Sequence, residues 1–256
     1  MVREAAVDTL LTVAGVDAVP VMEAHLQREK DTNVVFAILR GLKHAPCPKA
    51  DAILFKNIKS SNEDLAVAAL ESLSKLKGSG LDKEPAGCLD DGRWRVRVAA
   101  METVGELKLA ALAGKLTKAL DDPDAFVRSA AVETLPKLGA VRDVGKKLEE
   151  MFLRDDEIKP AVVIAMASLK LTMPDSFAEA MKTAKPETII AVIEALGDSE
   201  EGGIGFAASF VDHADSDVAC SAIRLLAAKR LEKDSACGVL AKVLQGSDRE
   251  GILTTL

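Results

Sequence analysis

The chain has 256 residues, of which 48% are hydrophobic but only 3% aromatic, with no Tyr. That is length enough for a large core, which must be filled by Ala, Leu, Val and Ile. Its 33 basic against 40 acidic residues, a net charge of −7, speak against a general nucleic-acid binder.

Cys47, Cys88, Cys220 and Cys237 make no CxxC pair and no short secreted framework, so they read as reduced thiols of a cytoplasmic protein. The amino terminus carries Glu4 and Asp8 where a signal peptide needs an apolar run. The longest apolar run, Pro160–Leu169, is about half of a bilayer span, so no membrane insertion is expected.

In chain order the dominant signal is a repeat. Equivalents of the apolar anchor Val127, at the start of each second helix, recur at Val2, Val34, Leu65, Val96, Ile158, Thr188 and Val218, in steps of 30 to 32 residues. Three places after each anchor stands a small residue: Ala5, Ala37, Ala68, Ala99, Ala130, Ala161, Ala191 and Ser221. Apolar columns follow five and eight places on, from Val7 to Ile223 and from Leu10 to Leu226. On a helix of 3.6 residues per turn, the anchor and the residues three, four, seven, eight and eleven further on share a face. That face is predicted to be buried, with the small column admitting a neighbouring helix. A shorter amphipathic segment belongs to each repeat: Val19–Arg28, Ala50–Ile58, Leu109–Leu120, Val144–Leu153, Ser176–Lys182, Ile204–Val211 and Ala236–Leu244. The unit is therefore an antiparallel helix pair.

Asp, Asn and Ser punctuate the turns, at Asp31, Asn62, Asp121–Asp124, Asp155 and Asp212–Asp217. These side chains are expected to cap the next helix. A Ca²⁺ loop at Asp212, Asp215 and Asp217 lacks the Gly and distal Glu of an EF-hand loop. A basic column (Arg3, Arg97, Arg128, Lys159) stands one place after the anchor, where the helix dipole disfavours a cation. A ladder of bonds from these cations to turn acids and carbonyls accounts for it.

Arg93–Leu107 (RWRVRVAAMETVGEL) and Ala125–Gly139 (AFVRSAAVETLPKLG) resemble HEAT repeats, and more narrowly the roughly 31-residue variety of bilin-lyase-type HEAT-like proteins. The resemblance covers nearly the whole chain and is weakest at Leu81–Leu89, where Pro85 and Gly87 interrupt a first helix. It implies an all-α fold, a right-handed α/α superhelical solenoid of about eight helix pairs with second helices lining the concave side. It also implies a partner-binding protein. One solenoid over residues 1–256 is expected, cut mid-repeat at both ends, since Val2 already begins a second helix and Asp248–Leu256 begins another.

Catalytic constellations are thin. His25, His44 and His213 lie on separate repeats, and there is no His-Glu pair of the kind that HEAT-type hydroxylases use for iron. Gly202-Gly203-Ile204-Gly205 precedes a helix without following a strand, unlike a nucleotide loop. Cys88, on the weak helix, is a candidate for exposure but has no base nearby. No catalytic residue, cofactor or metal is assigned, and a non-enzyme is expected.

Recognition is expected on the ridge two and six places after the anchor. Six places on it reads Asp8, Arg40, Glu71, Glu102, Glu133, Ile164, Glu194 and Arg224. Two places on it includes Phe36, Val67, Val98, Pro160 and Ile190. Apolar residues beside carboxylates suit a protein segment with aliphatic and basic side chains. Trp94, the sole Trp, in the cluster Arg93, Trp94, Arg95 and Arg97, is either scaffold or a ligand contact. The sequence reading is thus a protein-binding scaffold using Phe36, Val67, Glu71, Trp94, Val98, Glu102, Glu133, Ile164, Ile190 and Glu194. The alternatives are a bilin-lyase-like chromophore-handling subunit, or the regulatory or assembly arm of a larger protein.

Overall fold

The computed structural model describes residues 2–76, 84–139, 144–197 and 204–228. Every described regular element is helical, and the chain falls into two compact units, residues 1–141 and 142–256. Both are α/α solenoid stacks of antiparallel helix pairs.

In the first unit the second helices are α1 (Val2–Ala14), α3 (Thr32–Gly41), α5 (Glu63–Lys75), α7 (Trp94–Glu106) and α9 (Ala125–Thr134). The intervening first helices are α2 (Val19–Leu26), α4 (Pro48–Asn57), α6 (Glu84–Cys88) and α8 (Ala113–Ala119). Each second helix packs on the next, α1 on α3, α3 on α5, α5 on α7 and α7 on α9. The second unit repeats the plan with α10 (Val144–Arg154), α11 (Lys159–Ser168), α12 (Asp175–Met181), α13 (Pro186–Gly197), α14 (Ile204–Ala208) and α15 (Ser216–Ala228). There α11 packs on α13, and α13 on α15. The expected segments Ala236–Leu244 and Asp248–Leu256 lie outside the described residues, as do Gly202 and Gly203.

The repeat columns behave as their periodicity requires. All eight residues five places after the anchor, Val7 to Ile223, are buried. Eight places after it, Leu42 to Leu226 are buried, each such side chain contributing roughly 1.5–3 kcal/mol. The small column is buried at Ala68, Ala99, Ala130 and Ser221 and half-buried at Ala37, Ala161 and Ala191. α1 departs: Val2 is 85% exposed, Val13 79% and Leu10 38%, because only the α3 side of this helix is covered. Val2–Leu26 is apolar enough over its length to cross a membrane, but Gly15–Ala18 interrupts it as a 3-10 turn with Gly15 at φ +53°.

The turns cap the helices they precede. Asp31 accepts the Asn33 amide, Asn62 the Leu65 amide, Asp124 the amides of Phe126 and Val127, and Asp215 those of Asp217 and Val218. Asp215 therefore serves as a helix cap. Cys47 caps α4 through its sulfur, 3.4 Å from the Ala50 amide. Cys88 is buried, contrary to the expectation of exposure, because α6 packs its short length onto α7.

The basic column is a ladder. Arg97 donates to the Asp91 carbonyl of its own turn and to the Asp122 carboxylate of the next, both at 2.8 Å. Arg3 donates to Glu29 and Asp31 of the next turn, also at 2.8 Å. Arg128 donates to the carbonyls of Asp122 and Pro123. Lys159 is buried, 2.6 Å from Asp156 and over the Phe152 ring. A second bond series joins the helices directly, seven places after the anchor. The Ser72 hydroxyl donates to the Leu39 carbonyl of the preceding second helix at 2.7 Å. Thr103 likewise donates to Leu70 at 3.0 Å, and within its own helix to Ala99. Gly41, at the same place in α3, abuts Leu11, whose Cδ1 would lie 2.5 Å from an added Cβ.

These contacts give measurable expectations. Ala68→Leu should lower stability by about 1–3 kcal/mol through overpacking, read by chemical denaturation. Glu29 is held at about 2, chiefly by the Asp31 amide and further by the Lys30 amide and Arg3, against an ordinary value of 4.5. A depressed carboxylate contributes stability above its unfolded pKa and loses it as pH falls through the folded one. Glu29→Gln should thus be less stable than the parent at neutral pH, with the gap in thermal melts narrowing as pH drops from 4.5 toward 2.

Candidate functional site

The second helices of the first unit carry a groove of about 470 Å³ across α3, α5, α7 and α9. Its rims follow from helix geometry. Arg40, Glu71, Glu102 and Glu133 hold the same place in successive helices, and all four are exposed. Lys43, Lys75, Glu106 and Lys137 form a second row one turn further on. The floor between them is small and polar: Ala99 and Ala130, with the buried Ser72, Thr103 and Thr134.

The rows differ in how they are compensated. Glu106 sits between two cations, 3.2 Å from Lys137 and 3.8 Å from Lys75. The Lys137 bond in particular lowers the pKa of the Glu106 carboxyl. Among the described residues, Glu71, Glu102 and Glu133 have no cation within ion-pair distance, and Glu133 accepts only the Ser129 hydroxyl. Burial pushes the Glu102 carboxyl up, and Glu71 beside it adds to the shift; Lys137 opposes, while Glu133 and Glu106 reinforce it. The middle of the row is a strained anion, repelled from both sides along the groove.

The structure brings together three expected site residues, Glu71, Glu102 and Glu133. It does not bring the apolar ones with them. Val67 and Val98 are half-buried and do not line the groove. Phe36, also half-buried, lines a separate wide depression of about 650 Å³ with Glu4, Asp8, Asn33 and Arg40, and Arg40 lies 5.7 Å over its ring. The expected exposed apolar ridge is thus corrected to a half-buried one. In the second unit Ile190 is half-buried and Ile164 is 45% exposed. Glu194 lines a depression of about 230 Å³ with Ile193, Ser221 and Arg224.

Trp94 lies at the start of α7, outside the groove, stacked on Phe126 at 5.0 Å. Around it Arg93 grips Asp91 in a bidentate pair and reaches back to the Ser60 and Ser61 carbonyls, while Arg95 bonds Asp64. Both arginines join adjacent repeats, the scaffold alternative for this cluster. His25 bonds Glu29, and the His213 ring accepts the Asp215 amide. No group of three or more potential metal ligands occurs among the described residues. Sequence reading missed the basic second row and the hydroxyl floor; Ser72, Thr103 and Thr134 at one place in three consecutive repeats was the available signal.

Residues 86–167 match the family of HEAT repeats, which places α6 to α11 in the repeat class that the segments Arg93–Leu107 and Ala125–Gly139 resemble. The chain is also similar to the solved complex of CpcE and CpcF of phycocyanin lyase from Nostoc sp. PCC7120, at 19% identity and a TM-score of 0.46, covering 89% of this chain and 88% of that one. No curated protein matches. The expectation of a non-enzyme is corrected here: that similar structure is of a phycocyanin lyase.

A direct consequence concerns Glu102. A carboxylate whose pKa is raised in the folded state costs stability when ionised, a cost absent at low pH and present above its folded pKa. Glu102→Gln should therefore stabilise the protein at pH 7 by less than about 1 kcal/mol, since the group is solvent-facing. The two proteins should melt alike near pH 4.

Proposed function

We propose that the chain is a protein-binding scaffold that holds a basic protein segment in the groove of the first unit, across α3 to α9. The observation that carries this reading is the row Glu71, Glu102 and Glu133. Three exposed carboxylates in register lack ion-pair partners among the described residues, while in the neighbouring basic row the one acid, Glu106, is paired with Lys75 and Lys137. A cationic side chain seated against Glu102 relieves the repulsion that raises its pKa. Charge complementarity of this kind sets partner choice and association rate more than raw affinity. The small residues of the floor leave room for side chains to enter between the helices.

The test is capture of partners from the native host by the parent chain and by Glu102→Lys with Glu133→Lys, quantified by mass spectrometry. The double reversal should deplete the principal partner about tenfold, a loss of ~1.4 kcal/mol. Melting of the variant is measured alongside, to show that it remains folded. Unchanged capture by a folded variant overturns the reading.

A further inference from the structure

The groove has a pitch, and the pitch selects a backbone. Arg40, Glu71, Glu102 and Glu133 occupy one place in four consecutively packed helices, so their spacing follows the helix-to-helix distance. Packed helices lie about 8–10 Å apart. A polyproline II segment rises ~3.1 Å per residue with three residues per turn, so every third side chain falls on one face at about 9.3 Å. A β-strand presents same-face side chains at about 6.7 Å or 13 Å, which matches neither one helix step nor two. An α-helix repeats a side-chain direction only every seventh residue, at about 10.5 Å, just beyond the spacing of packed helices.

The floor agrees with that choice. Ser72 and Thr103 already donate to carbonyls of the preceding helix, so the floor offers no row of free donors to pair with an incoming strand. A polyproline II backbone needs none, being hydrated along its length. Arg40 then gives the site an end, because the row reads one cation followed by three anions from α3 to α9.

On the strength of the reading above, we propose that the groove takes a polyproline II segment with basic residues at three consecutive third positions and an acidic residue one further step on, facing Arg40. Recognition runs through side-chain charge in a fixed register. The partner's own backbone conformation supplies the register, which makes proline favourable at the spacer positions.

The probe is a set of labelled synthetic peptides, read by fluorescence anisotropy against the full chain. One carries Lys at every third position with Pro and Ser spacers and a terminal Glu, and is made in both chain directions. Others keep the composition but place Lys at every second, every fourth or every seventh position. The three-step peptide in one direction should bind at least about fivefold tighter than the other spacings, the scale of a few exposed charge pairs gained or lost. Replacing Pro by Gly should weaken it, and Arg40→Glu should reverse the preference for the terminal Glu. Equal binding of all spacings, abolished by Glu71→Gln with Glu102→Gln and Glu133→Gln, overturns the register while leaving the acidic row as a docking surface. Preference for the seven-step helical peptide overturns the extended conformation. Indifference of every peptide to the triple variant overturns this inference and the acidic-row reading together.

Discussion

How closely one second helix approaches the next decides both the stability and the working surface of the first unit. The facing sides carry Ala68, Ala99 and Ala130, buried and small enough for backbone to near backbone. At that distance the hydroxyls of Ser72 and Thr103 reach the carbonyls of Leu39 and Leu70 in the preceding helix. A larger residue in the alanine column would break both the packing and these bonds. The same closeness sets the step between equivalent side chains on the exposed ridge, and so the spacing of the charges that a partner meets.

The turns work on a second register of contacts at the helix starts. Cations placed there oppose the helix dipole, but Arg3, Arg97 and Arg128 are paired with acids or carbonyls of the turns, and Arg3 and Arg97 reach the following turn. Arg93 works in the opposite direction, tying Asp91 to the carbonyls of the preceding turn. Packing on one side of the helix starts and charge-assisted bonds on the other hold consecutive repeats in one register.

Glu71, Glu102 and Glu133 form no ion pair among the described residues, and burial and mutual repulsion raise the pKa of the central one, with Lys137 opposing. One turn further on, Glu106 holds Lys75 and Lys137 by ion pairs. A net formal charge near zero across the groove thus conceals an acidic row, Arg40 with three glutamates, beside a basic one, Glu106 with three lysines.

The thirty-one-residue period was sufficient by itself to set the helix pairs, their anchors, their caps and their buried columns, because each depends on local spacing along one helix. The carboxylate row was equally legible, since a place on a helix face follows from 3.6 residues per turn. What only the tertiary structure decided is everything that depends on a neighbour. It moved Val67 and Val98 from an exposed ridge into half-buried contacts, buried Cys88 under a short α6, and stacked Trp94 on Phe126. It also separated the acidic row from the paired one, because an ion pair such as Glu106–Lys137 joins residues 31 apart in sequence that meet only when two helices pack.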